Sequence, residues 1–360
     1  MTERTAPTPA PGGNAPPLPG GDGGVAYAPH RPLPRGNRLH RGLFRVQERA
    51  TVLAYRFASW LLGVVPEPIS WPLARAAFLA AYALWPAKRR IILANASHIL
   101  GRPEDDPAVR RLAQRIFQTY ARYVIELMRL PSRPLDEPAR LVEADGERGF
   151  DAFVALHERL RATGRGVIAV SIHMGSIETF VAAFGSRGLR TYGLADDTAY
   201  PELYALLQRQ RRRWGVEVVG WRNMRSIIRA LREAAILGLL VDWGYRPGDV
   251  PVRLFGAWTT LPAGPAVLAA RTGAVIVPMV CRRLPDGHFQ AAYMEPLEVP
   301  DDAPVTIARA TQALADAVEA MVAPHPEQWY TFKRMWPPSG EQAELLAARA
   351  ALVLREAPDG

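Results

Sequence analysis

From about residue 149, short apolar runs alternate with longer segments whose apolar positions recur at helical spacing. Runs of this kind predict buried strands, and the segments between them predict helices that cover a sheet. The predicted strands are residues 167–171, 191–194, 216–219, 236–242 and 274–281, with 289–295 as an antiparallel edge strand. The predicted helices are residues 149–163, 174–186, 201–215, 223–235, 264–272 and 305–322. The pattern is typical of an α/β fold with a mostly parallel sheet flanked by helices.

Two apolar stretches, residues 52–65 and 69–87, precede this region and are helical by pattern. The first is shorter than the ~20 apolar residues that a bilayer span requires, and the second contains Pro72, Arg75 and Pro86. We therefore predict a pair of interfacial helices whose cationic flanks attract anionic headgroups. The alternative is that both helices pack on the main domain. A further helix is predicted over residues 107–130, and residues 133–147 are expected to form an irregular connection.

Composition divides the chain into four parts. Residues 1–36 are rich in proline and glycine and poor in large apolar side chains, which predicts a disordered leader. Residues 37–147 form the predicted membrane-associating helical region, and residues 148–338 form the α/β core. Residues 339–360 are expected to form a C-terminal helical tail.

The charge balance of the chain is compatible with several classes of anionic partner. The 360-residue chain has a net charge of +9, which favours nucleic acid, anionic lipid surfaces or phosphorylated substrates. Cys281 is the only cysteine, so the chain can form neither an internal disulfide nor a cysteine-based zinc site. Because Cys281 lies in an apolar run, we expect an inert thiol in the core.

The most informative segment is VIAVSIHMGSIE, which runs from Val167 to Glu178 and places a histidine and a glutamate five residues apart. A histidine with a carboxylate behind it can act as a general base on a hydroxyl. Ser176 is the expected N-cap of the following helix, so Glu178 would fall in its first turn, where an anion is favoured. Asp242 follows another predicted strand, and sites in such sheets lie beyond the carboxyl ends of the strands. Spacing of this kind also arises by chance, so the segment alone does not establish a base.

Several ordered pieces of the chain together resemble the lysophospholipid-acyltransferase-like superfamily. The most similar branch is that of the bacterial lipid A late (lauroyl and myristoyl) acyltransferases, which is also similar to the phosphatidylinositol mannoside acyltransferases. The resemblance spans roughly residues 43–337. Its pieces are the His-x4-acid motif at residues 173–178, an arginine-rich helix end at 208–215, an aspartate loop at 242–248, the segments 255–256 and 259–265, the segments 270–274 and 277–278, and 325–329.

This resemblance implies transfer of a fatty acyl chain from a thioester to a hydroxyl. His173 would be the general base and Glu178 would orient and stabilise its ring, with no acyl-enzyme and no metal. The family implies no bound cofactor, with an acyl carrier protein or coenzyme A thioester as co-substrate. The acceptor would be a glycolipid of the lipid A precursor type, or alternatively a phosphatidylinositol mannoside or a lysophospholipid. The enzyme would work at the cytoplasmic face of the inner membrane, without nucleic acid.

Six further residues are candidates for substrate binding, and each also has a structural explanation. The guanidinium groups of Arg211 and Arg212 match phosphate geometry, although a solvated helix face explains them equally well. Asp242 would position a sugar hydroxyl or an arginine, or would cap its loop. The remaining candidates are Gly244, which permits a turn or a close backbone approach, and Thr260 and Gly264, which would line the substrate entrance or begin a helix.

Two departures from the family pattern put the acceptor in question more than the reaction. The segment 195–201 lacks the usual Asn-Pro form, and the second acidic residue of the aspartate loop is absent or displaced to Asp249. A different class of function, a non-catalytic lipid-binding or nucleic-acid-binding protein, would use the basic excess but has no need of a His–Glu pair. A lipid hydrolase is disfavoured because the chain lacks a Gly-x-Ser-x-Gly elbow.

Overall fold

A computed structural model of the chain describes residues 38–144, 146–195 and 201–355. The predicted leader, residues 1–36, lies outside the described residues, as does most of the segment 195–201. The helices are α1 (Arg38–Val64), α2 (Glu67–Leu84), α3 (Pro86–Leu100), α4 (Pro107–Arg129), α5 (Glu137–Leu141), α6 (Phe150–Ala162), α7 (Ile177–Ser186), α8 (Pro201–Arg212), α9 (Met224–Arg232), α10 (Gly264–Thr272), α11 (Pro304–Val322) and α12 (Gly340–Arg355). The strands are β1 (Val142–Glu143), β2 (Val167–Ser171), β3 (Thr191–Ala195), β4 (Val216–Gly220), β5 (Ile236–Leu240), β6 (Val250–Leu254), β7 (Ala257–Leu261), β8 (Val275–Arg283) and β9 (Phe289–Tyr293).

The main sheet has seven strands in the order β1-β9-β8-β2-β5-β3-β4. Strands β8, β2, β5, β3 and β4 run parallel, and β9 pairs antiparallel with β8. The predicted α/β class and mostly parallel sheet are therefore confirmed. In the register of the central pair, Ser171 of β2 lies opposite Leu240 of β5. The chain thus leaves both central strands at the same level of the sheet.

The two faces of the sheet are buried under different helices. Ile168 and Val170 of β2 face a core that includes residues of α9, α10 and α11. Val167 and Ala169, the alternate residues of the same strand, face a second core formed with α6 and α7. Alternate burial on both faces explains why β2 is apolar throughout.

The region before the sheet is helical, as predicted, but its helices have different limits. The apolar stretch predicted to run over residues 69–87 is divided at Trp85, where α2 ends and α3 begins. Pro86 explains the division, because proline lacks the N–H group that a helix interior requires and is well suited to a helix start. Within residues 38–355, excluding the gaps given above, no helix is long and apolar enough to cross a membrane.

Three elements of the sheet region differ from the prediction. Residues 133–147 contain the short helix α5 and the strand β1, which pairs beside β9. Strand β9 is antiparallel, as predicted, but β1 takes the edge position. The segment before Pro262, expected to be a loop, contains the antiparallel hairpin β6–β7. Phe255 and Gly256 at its turn have φ values of 49° and 72°, the signs that a two-residue type I′ turn requires.

Candidate active site

His173 and Asp242 meet at the carboxyl end of the sheet. Each lies two residues beyond the paired positions Ser171 and Leu240, so the register of β2 and β5 brings them together. The Asp242 carboxylate accepts from the His173 backbone N–H at 2.9 Å and bonds the ring Nδ1 at 2.7 Å. Because a carboxylate only accepts, Nδ1 carries the proton and the neutral ring has its free lone pair on Nε2. The His173 side chain is 38% exposed, which leaves the ring accessible on one side.

The electrostatics of this pair favour its charged form. Asp242 is 1% exposed, and burial alone would raise its pKa. The charge of His173, its two hydrogen bonds and the hydrogen bond from Trp329 outweigh burial and lower the pKa of Asp242. Burial likewise acts to lower the pKa of His173, but the adjacent carboxylate prevails and raises it above 6.5. A raised pKa makes this imidazole a stronger proton acceptor than an isolated histidine.

A turn that requires glycine follows His173. Gly175 has a φ of +64°, and a β-carbon at this position would overlap the carbonyl oxygen of Cys281. Glycine therefore allows the turn to lie against β8 before α7 begins. Ser176 is the N-cap residue of α7, as predicted, but its hydroxyl bonds Thr179 Oγ1 at 2.9 Å rather than a backbone N–H. Cys281 is fully buried, and burial raises the pKa of its thiol to about 12, as expected of an inert core residue.

The segment 328–330 completes the site from the C-terminal side. Trp329 Nε1 donates to Asp242 Oδ2 at 2.9 Å, so this carboxylate accepts three hydrogen bonds. The Tyr330 backbone N–H donates to the His173 carbonyl at 3.0 Å, and its ring lies edge-on to the imidazole. Gln328 accepts from the Gly175 N–H through its backbone carbonyl. The sequence motif at 325–329 pointed to this segment without assigning a role to any of its residues.

Glu178 does not occupy the position that sequence spacing predicted. We expected it to orient the His173 ring, but the structure gives that position to Asp242. Glu178 instead forms a bidentate ion pair with Arg211 of α8, with Nε to Oε2 at 3.0 Å and a second bond from Nη2 to Oε1. The first turn of α7 turns Glu178 toward α8, and the two side chains are mostly buried. The pair therefore fastens α7 to α8 beside the histidine.

An apolar cavity of about 130 Å³ lies beneath α7 and adjoins this ion pair. Its wall includes Ser171, Glu178 and Arg211 at the end nearest the site. The rest of its lining is mainly apolar and comes from α7, strands β2 to β5, and Met279 of β8. The apolar cavity thus begins at Ser171, two residues before His173.

The other predicted substrate-binding residues make contacts of different kinds. Arg212 is exposed and bonds Gln208, so it does not join Arg211 at the ion pair. Gly244 has a φ of +88°, and its backbone lies against Lys333 and Arg334, as expected of a close approach. Thr260 is buried and exchanges hydrogen bonds with the backbone of Arg246, so it secures the aspartate loop. Gly264 begins α10.

The sequence of the chain also matches a family of known proteins. A sequence profile described as bacterial lipid A biosynthesis acyltransferase matches residues 41–337. The chain belongs to this family of acyltransferases. The match covers the candidate site from His173 to Trp329, as well as most of α1 and all of α2 to α4, and ends before α12.

Named relatives fall into two groups. The acyltransferase is 28% identical to the phosphatidylinositol mannoside acyltransferase of Mycolicibacterium smegmatis, over 67% of this chain and 77% of the relative. It is 27% identical to the protein of that name in Mycobacterium tuberculosis strain H37Rv, over 61% of this chain and 68% of the relative. It is 30% identical to the lipid A biosynthesis lauroyltransferase of Escherichia coli, over 47% of this chain and 56% of the relative.

Proposed function

We propose that this acyltransferase moves a fatty acyl chain from a thioester to a hydroxyl group of a glycolipid, with His173 as general base. The observation that carries the proposal is the hydrogen-bonded pair of His173 and Asp242 beside an apolar cavity. Asp242 takes the orienting role that the sequence had given to Glu178. The co-substrate is an acyl carrier protein or coenzyme A thioester.

In this mechanism the acceptor hydroxyl approaches His173 Nε2 and gives up its proton as its oxygen attacks the thioester carbonyl carbon. A carbon–oxygen bond forms and the carbon–sulfur bond then breaks. The imidazolium returns the proton to the departing sulfur, so the products are an ester and a free thiol. Asp242 stabilises the imidazolium and holds the ring in the tautomer that can accept a proton.

The Glu178–Arg211 pair supports the reaction indirectly. A buried ion pair is costly to break, because removing one partner leaves the other charge uncompensated. Arg211 has a raised pKa: its burial acts to lower the value, but Glu178 outweighs that effect. We therefore assign both residues a positioning role that keeps α7, and with it the turn after His173, in place. Phosphate on the donor or acceptor would meet exposed arginines such as Arg212 rather than Arg211.

Helix α1 is the proposed membrane-binding element. Its inner face is held by polar anchors, with Ser59 Oγ donating to the Met128 carbonyl at 2.6 Å and Tyr55 OH donating to Gln210 at 3.0 Å. Its outer face carries a row of exposed apolar residues at helical spacing: Leu53, Phe57, Trp60, Leu61 and Val64. Helix α2 adds exposed Ile69 and Leu73. An apolar face of this kind suits insertion into the headgroup region, where the acceptor lipid resides.

Acyl transfer into defined lipids tests the reaction and the acceptor together. Purified enzyme would receive labelled acyl-coenzyme A or acyl carrier protein, with vesicles containing a lipid A precursor, a phosphatidylinositol mannoside or a lysophospholipid. We expect a new ester, identified by mass, on one of the two glycolipids, and none from the His173→Ala variant. His288→Ala, an exposed histidine far along the chain from the site, is the matched control and should retain wild-type transfer. Transfer by folded His173→Ala would overturn the assignment of the base.

A further inference from the structure

A second cavity, of about 250 Å³, lies between the start of α2, helix α4, the turn from β8 to β9 and the first turn of α7. It shares no lining residue with the apolar cavity beneath α7, and neither His173 nor Asp242 lines it. Most of its lining is polar or charged, and it includes three arginines: Arg122, Arg129 and Arg133. The mechanism proposed above uses none of them.

The three arginines lie one above another along α4 and its extension. Arg122 and Arg129 are about two turns apart on α4, and Arg133 comes one turn later, after the short 3₁₀ helix Leu130–Ser132. Their side chains are 27%, 13% and 24% exposed, so all three are mostly withdrawn from water. Three like charges in such a place are costly unless anions compensate them.

The carboxylates near the cavity compensate these arginines unevenly. Arg122 forms an ion pair with Glu67, and Arg133 forms one with Glu137. Arg129 reaches the same Glu67 only at 3.8 Å, which is beyond hydrogen-bond distance. Of the three arginines, Arg129 is therefore the one without a carboxylate of its own.

The two remaining carboxylates of the lining are engaged elsewhere. Glu126 accepts two hydrogen bonds from Arg283, and its contact with Arg122 is longer, at 3.6 Å. Asp286 accepts from the His288 backbone N–H at 2.9 Å and lies 3.1 Å from the ring of that histidine. Neither carboxylate therefore takes the place of Glu67 beside the third arginine.

Arg129 retains an unmet hydrogen-bond donor. Its Nη2 donates to the Val65 carbonyl and to Ser70 Oγ. Its Nε is buried and has no hydrogen-bond partner among the described residues. Burial, together with the charges of the two other arginines, lowers the pKa of Arg129, and Glu67 offsets only part of this effect. Buried donors are normally bonded, so Arg129 calls for an acceptor in the adjoining cavity.

We propose that this cavity is a phosphate-binding site, in which Arg129 and Arg133 hold the anion through charge-assisted hydrogen bonds. Guanidinium groups match the geometry of phosphate oxygens. The first turn of α7 contributes Thr179 to the wall, and the N-terminal end of a helix favours an anion. A volume of about 250 Å³ is also much larger than a single water requires.

Inorganic phosphate and the phosphate of an anionic lipid headgroup share this chemistry. The surroundings of the cavity suit either source. Val65, whose carbonyl Arg129 holds, lies between α1 and α2, and the apolar side chains of Val64 and Ile69 beside it are exposed. A headgroup in the cavity would thus lie next to an apolar surface that its acyl chains can contact.

Binding of inorganic phosphate to the full chain tests the site directly. Calorimetric titrations with sodium phosphate would be run at constant ionic strength, set with sodium chloride. We expect saturable binding of one phosphate by wild type and about tenfold weaker binding by Arg133→Gln, because one charge-assisted hydrogen bond is lost. Arg129→Lys should weaken binding by a similar factor, since an ammonium group lacks the fork that bonds Val65 and the anion together. Arg140→Gln, at a 66% exposed arginine of α5, is the matched control and should bind as wild type does.

Vesicles distinguish the two sources of phosphate. Flotation would compare phosphatidylcholine vesicles with and without phosphatidic acid. Binding to phosphatidic acid that falls in Arg133→Gln but not in Arg140→Gln, and that inorganic phosphate displaces, would assign a lipid headgroup to the site. Equal flotation of the two variants, with the difference in the titration retained, would assign free phosphate.

Two results would overturn the proposal. One is the absence of saturable phosphate binding by folded wild type, which would mean that the cavity holds only water. The other is equal phosphate affinity in wild type and folded Arg133→Gln. Because both measurements record binding and neither records acyl transfer, they do not depend on the function proposed above.

Discussion

Replacing Asp242 by asparagine tests the role of the buried carboxylate with almost no change in shape. Asp242 Oδ2 accepts from two donors that cannot reverse, the His173 backbone N–H and the Trp329 indole N–H. The amide oxygen of asparagine must therefore take the Oδ2 position, which turns its NH₂ group toward His173 Nδ1. That nitrogen then has to accept, so the ring proton moves to Nε2 and the base loses the lone pair it needs.

The structure thus predicts a ring held in the wrong tautomer rather than an unfolded protein. A tautomer switch of this kind in a histidine–aspartate pair lowers kcat by ~10⁴-fold. That loss corresponds to about 5 kcal/mol of transition-state stabilisation. Because two of the three hydrogen bonds to the carboxylate survive, circular dichroism and the unfolding transition should show a folded variant.

The assay is acyl transfer under single-turnover conditions as a function of pH. Wild-type activity should rise with pH, and the midpoint of this rise should lie above pH 6.5, since the neutral base is required and Asp242 raises the pKa of His173. In Asp242→Asn the pH dependence of any remaining activity should shift to lower pH, because burial then lowers the pKa of the imidazole without the opposing effect of the carboxylate. Asp302→Asn, an exposed aspartate outside the site, is the control and should retain near-wild-type rates. More than a tenth of wild-type activity in folded Asp242→Asn would refute the reasoning.

Three further predictions concern the packing and the stability of the site. Gly175→Ala should cost about 3 kcal/mol or more and lower the melting temperature by several degrees, because its β-carbon meets the Cys281 carbonyl, whereas Gly188→Ala, with φ +72° but open space, should cost about 1 kcal/mol. Trp329→Phe should lower activity about tenfold and destabilise the fold by ~2 kcal/mol through loss of the bond to Asp242, while Trp336→Phe, equally buried but bonded to the Leu254 carbonyl, should leave the pH profile unchanged. Chemical unfolding should show the largest stability difference between wild type and Asp242→Asn between about pH 4 and 6.5. The contribution of Asp242 is lost as pH falls through its lowered pKa, and the contribution of His173 is lost as pH rises through its raised pKa. A difference that does not change with pH would contradict the ion pair.

Local patterns predict the five parallel strands β2, β3, β4, β5 and β8, the antiparallel strand β9 and the position of His173 at the end of β2. The apolar run of β2 and the glycine after the histidine are features of neighbouring residues, so a single sequence reveals them. The hairpin β6–β7 was also visible in principle, since Val250, Val252 and Leu254 alternate before the Phe255-Gly256 turn. Pro251 lies within this alternation, and proline weakens a strand prediction, so the pattern alone does not distinguish a strand from a loop here.

The partner of His173 could not be found in this way. Sequence spacing favours Glu178, but sequence distance does not determine which way the first turn of a helix points. Asp242 is 69 residues from His173, and their contact depends on the pairing of β2 with β5. Contacts that depend on strand register remain hidden from a pattern that reads only one segment at a time.

The three bonds on Asp242 also have a consequence for biosynthesis. Trp329 is 87 residues beyond Asp242, so the carboxylate remains incompletely bonded until nearly the whole family-matched region has been made. The N-terminal part of a chain leaves the ribosome first, so α1, with its apolar face, emerges well before Trp329 can donate to Asp242. The hydrogen bonds around Asp242 are therefore among the last contacts of the family-matched region to be completed during synthesis.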